Sequence, residues 1–158
     1  MAKAEVTAEP GKQEIVITRI FNAPRELVFK TFTDAKHLAK WWGQDTATTT
    51  IDQLEASDGG KWRFVQTAPD GSEYAFRGVF HSIKAPEQIV QTFEFEGMPG
   101  HVLLETMTFE STPDGKTRII DSSVFQSVAD RDGMLQSGME DGANQSWNRL
   151  DALLDTLK

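Results

Sequence analysis

The sequence predicts an α+β fold in which a curved antiparallel sheet of about seven strands surrounds a long C-terminal helix, with two short helices after the first strand. Three observations carry this expectation. Short segments of alternating apolar and polar residues recur between the turns Asp58-Gly59-Gly60, Pro69-Asp70-Gly71 and Pro113-Asp114-Gly115, the pattern of local hairpins rather than parallel crossovers. Met139, Ala143, Trp147, Leu150, Leu154 and Leu157 recur at spacings of four and three and form one stripe on a helix. Ten Phe and four Trp in 158 residues supply the large apolar pieces of a single core.

Taken in order, residues 1–12 read as a flexible leader closed by Pro10-Gly11, and residues 13–158 as one domain. From Gln13 to Phe21, Ile15, Ile17 and Arg19 alternate with Val16, Thr18 and Ile20 as a first strand. Asn22 is the expected N-cap of a helix with Pro24 in its first turn and Leu27, Val28, Phe29 and Phe32 on its apolar face. Asp34 is suited to cap a second helix that carries Leu38, Trp41 and Trp42 and ends at Gly43, although one longer helix fits the same pattern.

Strands are then expected over Thr46 to Leu54, Lys61 to Thr67, Glu73 to Ile83, Gln88 to Phe95, Val102 to Glu110 and Thr117 to Phe125. Gly78 shares a face with Tyr74, Phe76 and Phe80 where a side chain would be expected, which points to close backbone approach, a bulge or strong bending. A helical region opens near Asp130, with Gly138 as a bend or as the boundary before the final helix. The strands of the same chain are the expected cover for the apolar stripe of that helix.

Charge excludes several functions. The formal net charge is −8, with ten basic and eleven acidic residues in 1–79 against six and thirteen in 80–158. An acidic surface repels the nucleic-acid backbone and anionic lipid, so neither is an expected partner. No segment reaches the roughly 20 apolar residues of a membrane span, and the N-terminus has no apolar core of a signal peptide, so a cytoplasmic protein without membrane insertion is expected. Cysteine is absent, which removes disulfides and thiolate chemistry. His37, His81 and His101 lie on separate elements without metal-ligand spacing; outward placement, no metal and no cofactor are expected.

Candidate chemistry centres on Glu105 and Asp121. Glu105 is flanked at period two by Leu103 and Met107, and Asp121 by Ile119 and Ser123. Turned inward, each would need a donor such as Arg77, Arg118, Tyr74 or a ligand, and its raised pKa would suit acid or base work. The blander reading, that twist turns both outward, is preferred. Tyr74 is read as an amphipathic core residue whose hydroxyl reaches a cavity rim. Catalytic candidates are thus Glu105, Asp121, Tyr74 and Arg77.

A curved sheet and one helix diverge at one end, where bulky side chains, water or ligand must fill the gap. The expected lining is Trp41, Trp42, Phe64, Tyr74, Phe76, Phe80, Phe93, Phe95, Met107, Phe109 and Trp147, and periodicity does not distinguish a void from a solid core.

The segments FNAPRELVFKTFTD (21–34), HLAKWWG (37–43), DGGKWRF (58–64), PDGSEYAFRGVF (69–80) and RDGMLQSGMEDGANQSWNRLDALL (131–154) resemble the activator-of-Hsp90-ATPase homologue subgroup of the START/Bet v 1-like (SRPBCC) superfamily. The resemblance runs from about Gln13 to Leu157. It implies a helix-grip fold with a seven-stranded sheet, two short helices and a long C-terminal helix across the concave side. It also implies relatives that include carriers of hydrophobic ligands, aromatic polyketide cyclases and cochaperone domains, and it brings no shared catalytic or metal set. The expected function is binding of a small apolar or aromatic molecule. A cyclase, dehydratase or hydrolase acting on such a molecule and a homodimeric or cochaperone-like interaction module are the alternatives.

Overall fold

The computed structural model describes residues 3–158. Its strands are β1 (Glu5–Thr7), β2 (Glu14–Phe21), β3 (Thr48–Leu54), β4 (Lys61–Thr67), β5 (Glu73–Lys84), β6 (Gln88–Phe95), β7 (Val102–Ser111) and β8 (Thr117–Val124). Its helices are α1 (Arg25–Thr33), α2 (Ala35–Trp41), α3 (Val128–Gln136) and α4 (Met139–Leu157). All strand pairs are antiparallel, in the spatial order β1-β2-β8-β7-β6-β5-β4-β3. This is the α+β helix-grip arrangement, with eight strands instead of seven.

The additional strand comes from the segment read as a leader. Glu5, Val6 and Thr7 pair with Thr18, Ile17 and Val16. Arg131, buried on α3, donates from Nη1 to the carbonyls of Glu9 and Glu14 at 2.7 and 3.3 Å, which ties this segment to the start of β2. Three residues are too few to show alternation, so such an edge strand has no sequence signature.

The helix pair is real, and its caps differ from expectation at one end. Asp34 accepts from the backbone N–H groups of Lys36 and His37 at 2.9 and 3.2 Å, and its extended backbone separates α1 from α2. The first helix is entered instead through Pro24, without a side-chain cap, and Asn22 lies outside it. Proline at the helix entrance loses no N–H bond, which makes a capping side chain dispensable. Gly138, at φ 86°, is the boundary between α3 and α4 and not a bend within one helix.

Trp147, Leu150 and Leu154 of the α4 stripe are buried, and Met139 and Ala143 pack against the core from its rim. The backbone of α4 packs most closely on α2, and also on α1 and α3. Long side chains such as Arg19 reach from the sheet to α4.

Candidate functional site

Directly opposed residues of antiparallel strands share a face of the sheet. The observed register therefore fixes what points toward α4. Phe64 lies opposite Phe76, which lies opposite Phe95. Phe80 lies opposite Gln91, Gln91 opposite Glu105, Glu105 opposite Ser123 and Ser123 opposite the buried Ile15. One inward position further on, Ile89, Met107, Asp121 and Ile17 form the next row. Glu105 and Asp121 thus both face the concave side among apolar residues, contrary to the preferred outward placement.

The rings on this face fall into two groups. Trp42 stands edge-on to Phe64 and Phe76 at 5.1 and 5.3 Å, and Phe76 packs on Phe93 and Phe95 at 5.5 and 5.2 Å. Trp42, Phe76, Phe93 and Phe95 are only half-buried although the register turns the three Phe inward. The second group is sealed. Trp41 donates from Nε1 to the Thr31 carbonyl at 2.9 Å and stacks on Phe32, Phe109 sits between Phe29 and Phe32, and Trp147 meets Phe21 edge-on at 5.5 Å. With the buried Phe80 and Met107, these side chains fill the interior rather than open it.

Tyr74 is 47% exposed at the end of β5, beside Phe95, and not a core residue. Arg77 points to the convex face, where its Nε donates to Glu94 at 3.0 Å, and Arg118 pairs with Glu110 across the same face. Neither arginine joins the two inward acids. A one-residue change of position reverses the face of a strand side chain, and Arg77 sits between Phe76 and Gly78.

The acids instead meet each other. Glu105 accepts from Nε2 of Gln91 at 3.0 Å, and Asp121 is its diagonal neighbour on the adjacent strand, one inward position away. Asp121 is buried, and burial first and the adjacent Glu105 second push its carboxyl well above the usual range. Asp121 Oδ1 is buried without a hydrogen-bond partner.

Two further residues belong to this face and were not singled out from the sequence as site residues. Trp62, fully buried, packs on Phe64 and Phe93 at 4.7 and 5.9 Å, and its Nε1–H has no partner. The gap at Gly78, directly opposite it, was the available signal. Arg19 is in phase with Ile15 and Ile17, and its guanidinium donates to Asn148 Oδ1 at 2.8 Å and Asp151 Oδ2 at 3.2 Å on α4. This buried pair fastens the helix to β2, and burial lowers the Arg19 pKa against the opposing effect of Asp151.

The convex face carries two open grooves of about 580 and 690 Å³. Their walls include Arg63, paired with Glu96 at 2.8 Å, and the first also includes the Arg77–Glu94 pair, so the arginines there are already paired. The concave face, with unmatched polar atoms beside half-buried rings, is the better candidate site. Among the described residues, no group of three or more His, Asp or Glu side chains is placed to hold a metal ion, and no helix is long and apolar enough to cross a membrane. His81 and His101 are exposed, the latter against Asp130 at 3.0 Å, whereas His37 is half-buried beside Asp34.

Comparison with known proteins agrees with this geometry. The structure is similar to a protein of Arthrobacter aurescens solved by NMR, with 27% identity over 96% of this chain and 91% of that one and a TM-score of 0.87. A crystal structure of a Mycobacterium smegmatis protein is similar at 25% identity, over 98% and 97% of the two chains, with a TM-score of 0.87. The fold is also that of an AHSA1 protein of Silicibacter pomeroyi, at 23% identity, 92% and 99% coverage and a TM-score of 0.76. No curated protein matches the sequence. The family model described as Activator of Hsp90 ATPase homolog 1-like protein matches residues 22–155, and with that span the chain belongs to this family, within the START/Bet v 1-like superfamily.

Proposed function

We propose that the concave face binds a small hydrophobic or aromatic ligand between the middle of the sheet and α4. Membership of the family supports a general role in binding a ligand or partner. The observation that carries the narrower reading is the wall of Trp42, Phe76, Phe93 and Phe95. These rings pack on one another at the opening of the concave face and remain half-buried. Covering about 100 Å² of such surface is worth about 2.5 kcal/mol, so a flat apolar molecule gains from docking there.

Quenching of tryptophan fluorescence by 2-naphthylmethanol tests this reading, since Trp42 and Trp62 both adjoin the wall. Saturable binding at one site is expected, weakened about tenfold by Phe93→Ala, with Val79→Ala on the convex face as the control. Absence of saturable binding, or equal weakening by both variants, would overturn it.

The buried Asp121 carboxyl, raised by burial and by the adjacent Glu105, favours a second reading, in which the same site performs acid–base chemistry of the cyclase, dehydratase or hydrolase kind on its ligand. Glu105→Gln and Asp121→Asn would then each lower turnover of a confirmed substrate by about 100-fold or more. Unchanged turnover in either variant would remove that residue from the chemistry.

A further inference from the structure

The polar end of the concave face identifies which aromatic ligand would fit. Among the described residues, Glu105 and Asp121 share the interior with no cationic partner: the hydrogen bond to Glu105 comes from the neutral amide of Gln91, and Asp121 Oδ1 has no donor. Two other charged groups, Arg19 of β2 and Arg131 of α3, are buried in elements that enclose this space. Arg19 is taken up by Asp151 and Asn148 of α4, and Arg131 by Asp132 and the carbonyls of Glu9 and Glu14. The terminal nitrogens of Arg19 are thus committed to α4, with its Nε buried and without a partner, and Arg131 is committed to its own anion and carbonyls.

A buried carboxyl oxygen without a donor costs about 1–3 kcal/mol, and a second carboxyl beside it adds repulsion whenever the proton is lost. The rings stand close by. Gln91 and Phe93 are successive inward residues of β6, and Glu105 and Leu103 are the corresponding pair of β7, so Glu105 and Phe93 are about 7 Å apart along the strands, with Asp121 one inward position beyond Glu105. A small aromatic molecule bearing one charged substituent spans that interval.

We infer that the ligand of this site carries a protonated nitrogen, seated against Glu105 and Asp121 while its aromatic body lies on Phe93 and Phe76. The inference rests on the ligand-binding reading above. A cationic nitrogen supplies the missing donor to Asp121 Oδ1, balances the charge of the acid pair and is attracted by the faces of the adjacent rings. The net charge of −8 favours approach of such a ligand and disfavours an anionic one.

Three probes with one aromatic body separate the possibilities: 2-naphthylmethylamine, 2-naphthylmethanol and 2-naphthoate, each titrated into the intact protein by calorimetry at neutral pH. The amine is expected to bind about tenfold or more tightly than the alcohol, and the carboxylate most weakly. The double variant Glu105→Gln, Asp121→Asn is expected to lose the preference, its amine affinity falling to that of the alcohol. An alcohol or carboxylate that binds the wild-type protein as tightly as the amine overturns this inference and leaves ligand binding standing. Binding of none of the three overturns both. The ranking on wild-type protein decides the matter even where the double variant fails to fold.

Discussion

The indole of Trp62 lies across Gly78 so closely that a Cβ on the glycine would fall 2.4 Å from Nε1 and 1.9 Å from the carbonyl oxygen of Thr92. Gly78 has no unusual backbone conformation, so the requirement for glycine is one of space. The strand behind it is backbone and does not move aside as a flexible side chain would.

Gly78→Ala should therefore destabilise the protein by about 3 kcal/mol, near the upper part of the range for overpacked cores. Urea unfolding checks this. An unchanged midpoint would show that the sheet absorbs the methyl group at that position.

Asp151→Ala should cost more than Arg19→Met. The Arg19 side chain is fully buried and would lose its anion, whereas Asp151 keeps 23% exposure and can recruit water once the arginine is gone. Removing the anion and leaving the buried charge unpaired costs about 3 kcal/mol, whereas an apolar replacement of the arginine, of similar length, avoids part of that cost. Paired denaturation curves give the order of the two variants.

The Asp121 carboxyl is raised in the folded state, so the folded protein binds more protons than the unfolded chain between the two pKa values. Its contribution to stability falls as pH rises above about 4, the unfolded value, and stays lost above the folded one. Asp121→Asn should accordingly be more stable than the wild-type protein at pH 7, with the advantage shrinking as pH falls toward 4. Thermal unfolding of both proteins across this window gives the difference directly.

Asp34 behaves oppositely. Backbone N–H donation, from His37 foremost, holds its carboxyl below the usual range, so the cap stabilises above the unfolded pKa and fades as pH falls through the lowered folded value. Asp34→Ala should cost about 1 kcal/mol at pH 7 and progressively less in acid. A penalty independent of pH would assign the effect to packing instead of the charged cap.

Arg131→Met should release the segment that carries β1. Amide exchange at Glu5, Val6 and Thr7 is expected to accelerate while the centre of β7 stays protected, because the arginine bonds the carbonyls of Glu9 and Glu14 and touches no central strand.

Local chemistry made much of this fold readable. Lys61 to Thr67 and Gln88 to Phe95 were bounded to the residue by glycine and proline turns and by alternation, and the Met139 to Leu157 stripe named the long helix. These are near-neighbour properties, written into spacing and backbone freedom.

Which way the acids face was not of that kind. Leu103, Glu105 and Met107 alternate correctly for an inward row, but burying Glu105 carries an electrostatic cost that sequence reasoning charged against it, since its partner lies on another strand. Only the register, with Gln91 opposite Glu105 and Asp121 opposite Met107, brings an amide donor to Glu105 and sets the two carboxyls on neighbouring strands. The same holds for β1, for the Arg19 anchor on α4 and for the division of the rings into a sealed core and an open wall. The sequence by itself determined the elements and their apolar faces, because those depend on residues a few positions apart; tertiary structure decided which polar groups meet inside, because their energies depend on distant partners, such as Asp151 for Arg19, 132 positions away.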